Sequence, residues 1–446
     1  MAKVTFMGAG STVFAKNILG DCLSTPALRQ NLHIALYDID SQRLQDSQMM
    51  LENLNRNINE GRATITSHLG VRQRRQALRS ADFVVNAIQV GGYEPSTVID
   101  FEIPRKYGLR QTIADTLGIG GIFRGLRTIP VMQDFADDIE KECPAAWLLN
   151  YTNPMSILTG YMQQHTKVRT VGLCHSVQGC AYHLLRALGM EDQIEGMQWK
   201  IAGINHMSWL LEITSSGKDL YPEIRRRAER KNKQARRKNG KKHGDMVRYE
   251  MMRHFGYYNT ESSEHTAEYH PYFIKSQFPE LIEEFNIPLD EYPRRCVKQI
   301  EGWKKQREEL VGNSQLSHKR SHEYGSLIME AVVTGQPACI GGNVLNTGLI
   351  PNLPAKACVE VPCLVDRNGV KGVYVGELPE QLAALNRTHI NVHLLTIEAA
   401  KTLRKEAVYH AAMLDPHTRS ELTLDQIRNL CDDLFEAHGD MMPKYR

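Results

Sequence analysis

Cys174 and His175 stand side by side in GLCHSVQG (residues 172–179), directly after the apolar run Val171-Gly172-Leu173. A thiolate at the end of a strand suits a borderline or softer divalent ion. His206, in GINHM (residues 203–207), offers an imidazole at another such end. Cys174 and His206 alone are too few ligands for a closed structural site. Open positions filled by water or substrate hydroxyls are instead the arrangement of catalytic metals. Taken singly, Cys174 reads as a buried strand-end thiol and His206 as a core histidine. A nucleotide site on the same sheet tips the pair toward metal binding.

That site starts at MGAGST (residues 7–12), between an apolar strand and a helical stretch. Gly8 and Gly10 let the backbone approach a pyrophosphate, and the helix N-terminus supplies free N–H groups. Ser11 and Thr12 place hydroxyls beside the diphosphate. The third glycine of the usual fingerprint is replaced by Val13. Asp38 ends the second strand, where an acid bonds an adenosine ribose and disfavours a 2′-phosphate, so NAD+ is expected over NADP+. In the strand-end loop QVGGYEP, Gln89 and Gly91 are further candidate cofactor contacts.

The elements that must carry these residues alternate. Strands are expected at Lys3–Met7, His33–Tyr37, Phe83–Ile88, Ala146–Leu149 and Val168–Leu173. Helices are expected at Val13–Leu23, residues 41–58, Ile122–Glu140 and Ser156–Gln164. Such alternation implies a parallel sheet with right-handed crossovers, whose strand ends line a ligand crevice. Beyond about residue 195 the segments lengthen and become mostly helical, with strand content at Lys200–Ile204, Trp209–Ile213 and Cys358–Val365. The expected fold class is therefore α/β: a Rossmann-like doubly wound parallel sheet in residues 1–195. A mainly helical α+β domain for substrate, metal and oligomerisation follows in residues 196–446.

Composition limits the alternatives. Of 446 residues, 42% are apolar and 24% charged, as in globular proteins. No run approaches the roughly 20 apolar residues of a membrane span. The N-terminus enters a strand directly, without the pattern of a signal peptide. Nine cysteines are scattered with no CxxC pair, which suggests reduced thiols in a cytoplasm. Residues 225–242 hold eleven Lys/Arg and one Glu, a local charge of +10, so the remainder carries −7 of the net +3. This run is expected to be a mobile, solvated loop at about 225–243. It has no interleaved aromatics for base stacking, and the acidic remainder repels polyanions, so neither a nucleic acid nor a membrane partner is expected.

Several stretches together resemble family 4 of the glycoside hydrolases, in its alpha-galactosidase branch. They are FMGAGST, NAIQVGGYEP, QTIADTLGIGG, LLNYTNPM, GLCHSVQG, AGINHM, ESSEHTAEYHPYF and LDEYPRRC, spread over most of the chain. The resemblance implies an NAD+- and divalent-metal-dependent hydrolysis, most often with Mn2+, of an alpha-galactoside such as melibiose or raffinose. The cofactor takes a hydride from C3, a base removes the C2 proton, the aglycone leaves, water adds and the hydride returns. It also implies that Cys174 and His206 ligate the metal, that Asn153 holds a sugar hydroxyl and that Asn150 lies near the cofactor. Tyr269 would be the C2 base, with Tyr272 and His265 as alternatives in the same loop. His175 stands where some relatives that cleave phosphorylated sugars carry an aspartate acid, and an imidazole can donate at neutral pH. Arg294 would reach the sugar, or else pair with Asp290 or Glu291 at the surface. Asp115 and Thr116, in DTLGIGG, would stand behind the residues in direct contact. A homodimer or homotetramer is implied. Alpha-glucosidase or alpha-glucuronidase specificity, and a lactate/malate-type dehydrogenase, are the competing functions.

Overall fold

The computed structural model describes residues 2–446, and in it thirteen strands form one sheet. They are β1 (Ala2–Met7), β2 (Leu32–Asp38), β3 (Thr64–Leu69), β4 (Phe83–Asn86), β5 (Trp147–Asn150), β6 (Arg169–Gly172) and β7 (Met197–Ile204). There follow β8 (Met207–Ser215), β9 (Lys218–Asp219), β10 (Tyr258–Asn259), β11 (Ala338–Leu345), β12 (Cys358–Asp366) and β13 (Gly369–Gly372). The order is β10-β8-β7-β12-β11-β6-β5-β4-β1-β2-β3, with β9 on β8 and β13 on β12.

β3-β2-β1-β4-β5-β6 pair in parallel. This is the doubly wound nucleotide-binding order, which reverses between β1 and β4. Strands covered on both faces read as continuous apolar runs. Accordingly Val4, Phe6, Val84 and Val85 are fully buried. Helices Thr12–Ser24, Ser41–Asn59, Gly118–Glu142 and Met155–His165 make the connections between strands.

Past β6 the pairing becomes antiparallel. β11 joins β6 where Asn343 faces Gly172, and β12 joins β7 where Glu360 faces Gly203. The sheet thus continues across residue 195, and β7 and β8 form a hairpin turned at Asn205-His206. Long helices, Glu291–Leu310 and Glu380–Thr402 among them, make up much of the remaining C-terminal half.

Two expectations are corrected. β3 had no counterpart among the expected strands. It is an edge strand in which only His68 is buried, so it shows no apolar alternation. The basic run is not a loop throughout: Tyr221–Ala235 is helical. Pro222 sits in its first turn, and Tyr221, Ile224, Ala228, Asn232 and Ala235 form one buried stripe. Several of its cations hold the structure together. Arg227 donates to the carbonyls of Leu188 and Gly189, and Lys231 to that of Ala187, which satisfies the C-terminal end of helix Ser176–Ala187. Among the described residues no helix is long and apolar enough to cross a membrane, and the nine cysteines are free.

Candidate active site

The glycine turn after β1 is closed by Asp38. Its Oδ2 accepts from the Gly10 N–H at 2.6 Å and its Oδ1 from the Asp40 N–H at 2.9 Å. A side chain at Gly10 would meet Asp38 Oδ2 at 2.8 Å, so glycine is required by close approach. Gly8, at φ +86°, packs on the Ala87 carbonyl at the end of β4. Ser11 is exposed, and no side chain caps helix Thr12–Ser24, so its first N–H groups are free for a diphosphate. These features fit a dinucleotide. The Thr12 side chain does not join them: it is buried, and its hydroxyl accepts from Ser47 Oγ at 3.0 Å. Only its backbone remains at the turn.

The next strand ends add further polar groups. Gln89 donates to Thr97 Oγ1 at 3.2 Å, and Gly91, at φ +79°, packs against Ser96 with no room for a side chain. Asn150 is fully buried and satisfied by Asn86, Thr152 and Thr159, so its side chain braces β4 and β5 and does not face a cofactor. Asn153 reaches forward, its amide 3.3 Å from Asp115 Oδ2.

The metal-type ligands converge from distant positions. Cys174, His206 and Glu261 bring a thiol, an imidazole and a carboxylate within 4.8 Å of one another, and Asp115, His206 and His265 do the same. His206 occupies the β7–β8 turn in the left-handed region at φ 63°, uncommon for a non-glycine residue. The turn is braced from below by buried Glu360, which accepts from Asn205, Ser208 and Asn343. His206 Nδ1 lies 3.0 Å from Tyr269 Oη, and Nε2 lies 3.4 Å from Glu261. Its ring packs edge-on against His265, with centroids 4.9 Å apart.

Electrostatics favour a cation here. Burial opposes charge on His206, yet Glu261, Cys174 and Asp115 outweigh it and raise its pKa to about 10. Burial likewise opposes the charges of Glu261 and Asp115. His206 and His265 outweigh it at Glu261, Arg124 and the same two histidines at Asp115, and both carboxyls are lowered. A cysteine sulfur, an imidazole and a carboxylate form a donor set that suits a divalent transition ion.

Tyr269 is buried at the cluster, and burial together with Asp115, Glu268 and Glu261 raises its phenol well above the ordinary range. His265 belongs to the same cluster, four residues earlier on helix Ser263–Tyr269, and burial lowers its pKa. Tyr272 is 47% exposed and stacks on Phe255 and His270, apart from the ligands. His175 has Nε2 2.6 Å from Glu323 Oε1, and that hydrogen bond raises its pKa.

Arg294 does not join this group. It is exposed, pairs with Glu291 at 2.7 Å and donates to the Leu289 carbonyl, the surface alternative for this residue. The guanidinium nearer the cluster is that of Arg124, buried over the Tyr292 ring at 5.9 Å. Sequence reasoning did not find Glu261, Arg124 or Glu323. Glu261 had one usable signal, its place in the same polar loop as His265 and Tyr269.

Comparison with known proteins agrees with this geometry. The family described as "Family 4 glycosyl hydrolase" matches residues 3–190, and its C-terminal domain matches residues 201–418. An alpha-galactosidase of Bacillus subtilis is 63% identical over 446 residues, covering 100% of both chains. Among solved structures, lplD from Bacillus subtilis superposes with a TM-score of 0.86 at 25% identity, covering 97% of this chain and 99% of that one. A 6-phospho-alpha-glucosidase from gut microorganisms, in complex with NAD and Mn2+, shares the fold with a TM-score of 0.80 at 21% identity over 100% of both chains. A nucleotide turn and a cysteine-histidine cluster on one sheet, in a chain matched by both family descriptions, lead to one conclusion: it belongs to family 4 of the glycosyl hydrolases.

Proposed function

We propose that this enzyme is an NAD+- and divalent-metal-dependent alpha-galactosidase, with Mn2+ the best-suited ion. The observation that carries the reading is the Cys174–His206–Glu261 cluster, with Tyr269 against it, on the same sheet as the Gly8–Gly10 turn. The galactoside specificity is supported by the 63% identity to the Bacillus subtilis alpha-galactosidase, and the cofactor pair by the NAD and Mn2+ in the related 6-phospho-alpha-glucosidase structure.

When bound, the dinucleotide supplies a hydride acceptor and the ion a Lewis acid. Cys174, His206 and Glu261 would hold the ion, and Asn153 would orient a sugar hydroxyl beside it. Gly8, Gly10 and Ser11 would receive the diphosphate, and Asp38 the adenosine ribose. Tyr269 would take the C2 proton. Burial together with Asp115, Glu268 and Glu261 holds this phenol well above the ordinary range, so it would act as a base only with the charge of a bound divalent ion beside it. His175 would give a proton to the departing glycosidic oxygen.

The test is hydrolysis of p-nitrophenyl alpha-galactoside by protein stripped of metal and cofactor. NAD+ alone, Mn2+ alone, and both with a thiol reductant are then added back. Activity is expected only with both, and above that on the alpha-glucoside or alpha-galacturonide. Full activity with neither would reject the reading.

A further inference from the structure

Glu323 is a buried carboxylate that the reading above does not yet use. It precedes helix Tyr324–Thr334, but its side chain does not cap that helix. Oε1 lies 2.6 Å from His175 Nε2, while Oε2 is buried with no hydrogen-bond partner among the described residues. The Glu323 side chain is 6% exposed and that of His175 61% exposed. A buried carboxylate with an unmatched oxygen is costly for a fold to keep, so its persistence points to a function.

The surroundings hold the Glu323 backbone in place. Asp21, buried in helix Thr12–Ser24, accepts from His318 Nε2 at 2.7 Å, from the Ser321 N–H at 2.7 Å and from Ser321 Oγ at 2.6 Å. Ser321 Oγ accepts from the Glu323 N–H at 3.1 Å, and Tyr151 Oη accepts from the Gly325 N–H at 2.9 Å. Gly20 gives the clamp its room, since a side chain there would meet the His318 ring at 2.7 Å. The His175 ring is flanked by Phe14 and Tyr151, with centroids 6.3 Å away in each case. The clamp therefore starts on the helix that opens at the nucleotide turn and ends on His175.

We propose that Glu323 is a positioning residue for His175. Its carboxylate takes the Nε2 side of the ring and leaves Nδ1 for the glycosidic oxygen. The inference rests on the proposed function. In the departure step the electron pair freed by C2 deprotonation forms the C1–C2 double bond. The C1–O bond breaks with its electrons going to oxygen, and that oxygen takes the proton from the imidazole. A correctly aimed donor matters for a poor leaving group and little for a good one.

The experiment compares the full-length enzyme with Glu323→Ala and Glu323→Gln, all with NAD+, Mn2+ and reductant. Methyl alpha-galactoside needs protonation of its leaving group; 2,4-dinitrophenyl alpha-galactoside does not. For Glu323→Ala, kcat on the methyl glycoside should fall roughly a hundredfold and on the dinitrophenyl glycoside by less than about threefold. Glu323→Gln, which keeps an oxygen acceptor, should fall between. Deuterium uptake at C2 and NAD+ affinity should be retained. Equal losses on both substrates, or none on either, would overturn the proposal. If Glu323→Ala melts early by circular dichroism, Glu323→Gln decides by the same selectivity. Absence of C2 exchange in the unsubstituted enzyme would overturn the redox-elimination reading and this inference with it. Exchange with unselective losses would overturn this inference alone.

Discussion

The two sides of the crevice are built differently. The nucleotide turn is one contiguous strand-turn-helix unit, closed by an aspartate that ends the neighbouring strand. Gly8, Gly10, Ser11 and Asp38 lie on two adjacent parallel strands and the turn between strand and helix. The metal-type cluster instead gathers Asp115, Cys174, His206, Glu261 and His265 from four separate stretches, one of them a hairpin turn of the antiparallel extension. The first side needs local backbone geometry and little else. The second needs the whole sheet, because β6 and β7 are joined only through β11 and β12. Damage should therefore stay local on the first side and spread to the chemistry on the second.

Substitutions sharpen this contrast. Tyr269→Phe should lower turnover by up to about ten-thousandfold, the upper range for loss of a general base, and should abolish uptake of solvent deuterium at C2. Tyr272→Phe, at the exposed neighbour, should change neither reading. Retained exchange in Tyr269→Phe would move the base role to His265. Cys174→Ser should cost roughly a thousandfold in metal-dependent activity while NAD+ affinity, measured by calorimetry, stays intact. Unchanged activity would remove Cys174 from the ligand set. Asp38→Ala should act only on the other side. Loss of a charge-assisted hydrogen bond weakens NAD+ binding roughly ten- to a hundredfold, with metal affinity unaltered. An equal effect of Asp38→Ala on both affinities would break the distinction between the two regions.

A smaller effect concerns the brace between them. Glu268 accepts from the N–H groups of Thr112, Ile113 and Ala114 at 2.8, 3.1 and 2.9 Å, and so ties the Asp115 loop to the helix of His265 and Tyr269. Burial raises its pKa from 4.5 to about 7, despite those three donors. A carboxyl whose folded pKa is raised binds protons more tightly in the native state. Its contribution to stability is full below about pH 4.5 and is lost as pH rises through about 7. Thermal melts from pH 5 to 7.5 should therefore fall with a shallower slope in Glu268→Gln than in the parent. Identical slopes would exclude Glu268 as the source.

The same contrast governs what could be read from the sequence. The nucleotide turn was legible because its glycines, strand, helix and acid are neighbours in the chain, and the parallel half of the sheet followed from regular alternation. The edge strand Thr64–Leu69 was not, because exposure removes the apolar signal. Charge density in residues 221–235 concealed a buried stripe of three- and four-residue spacing. In the cluster, His265 and Tyr269 share one helical face, a spacing visible in EHTAEY, and Glu261 stands four residues before His265, whereas Asp115 reaches its place only through the tertiary fold. Glu323 lies 148 positions from His175 and carries no local mark. The Arg294 side chain was decided by local competition: Glu291, three residues earlier on the same helix, offers a pair that faces solvent.

The most direct test of a single redox-elimination site is the hydrogen at C2 of the product. Melibiose is hydrolysed to completion in D2O with NAD+ and Mn2+, and the released galactose is examined by proton NMR. The account predicts deuterium at C2 in galactose, formed only when both additions are present. Galactose that keeps its full C2 proton signal after complete hydrolysis would contradict it.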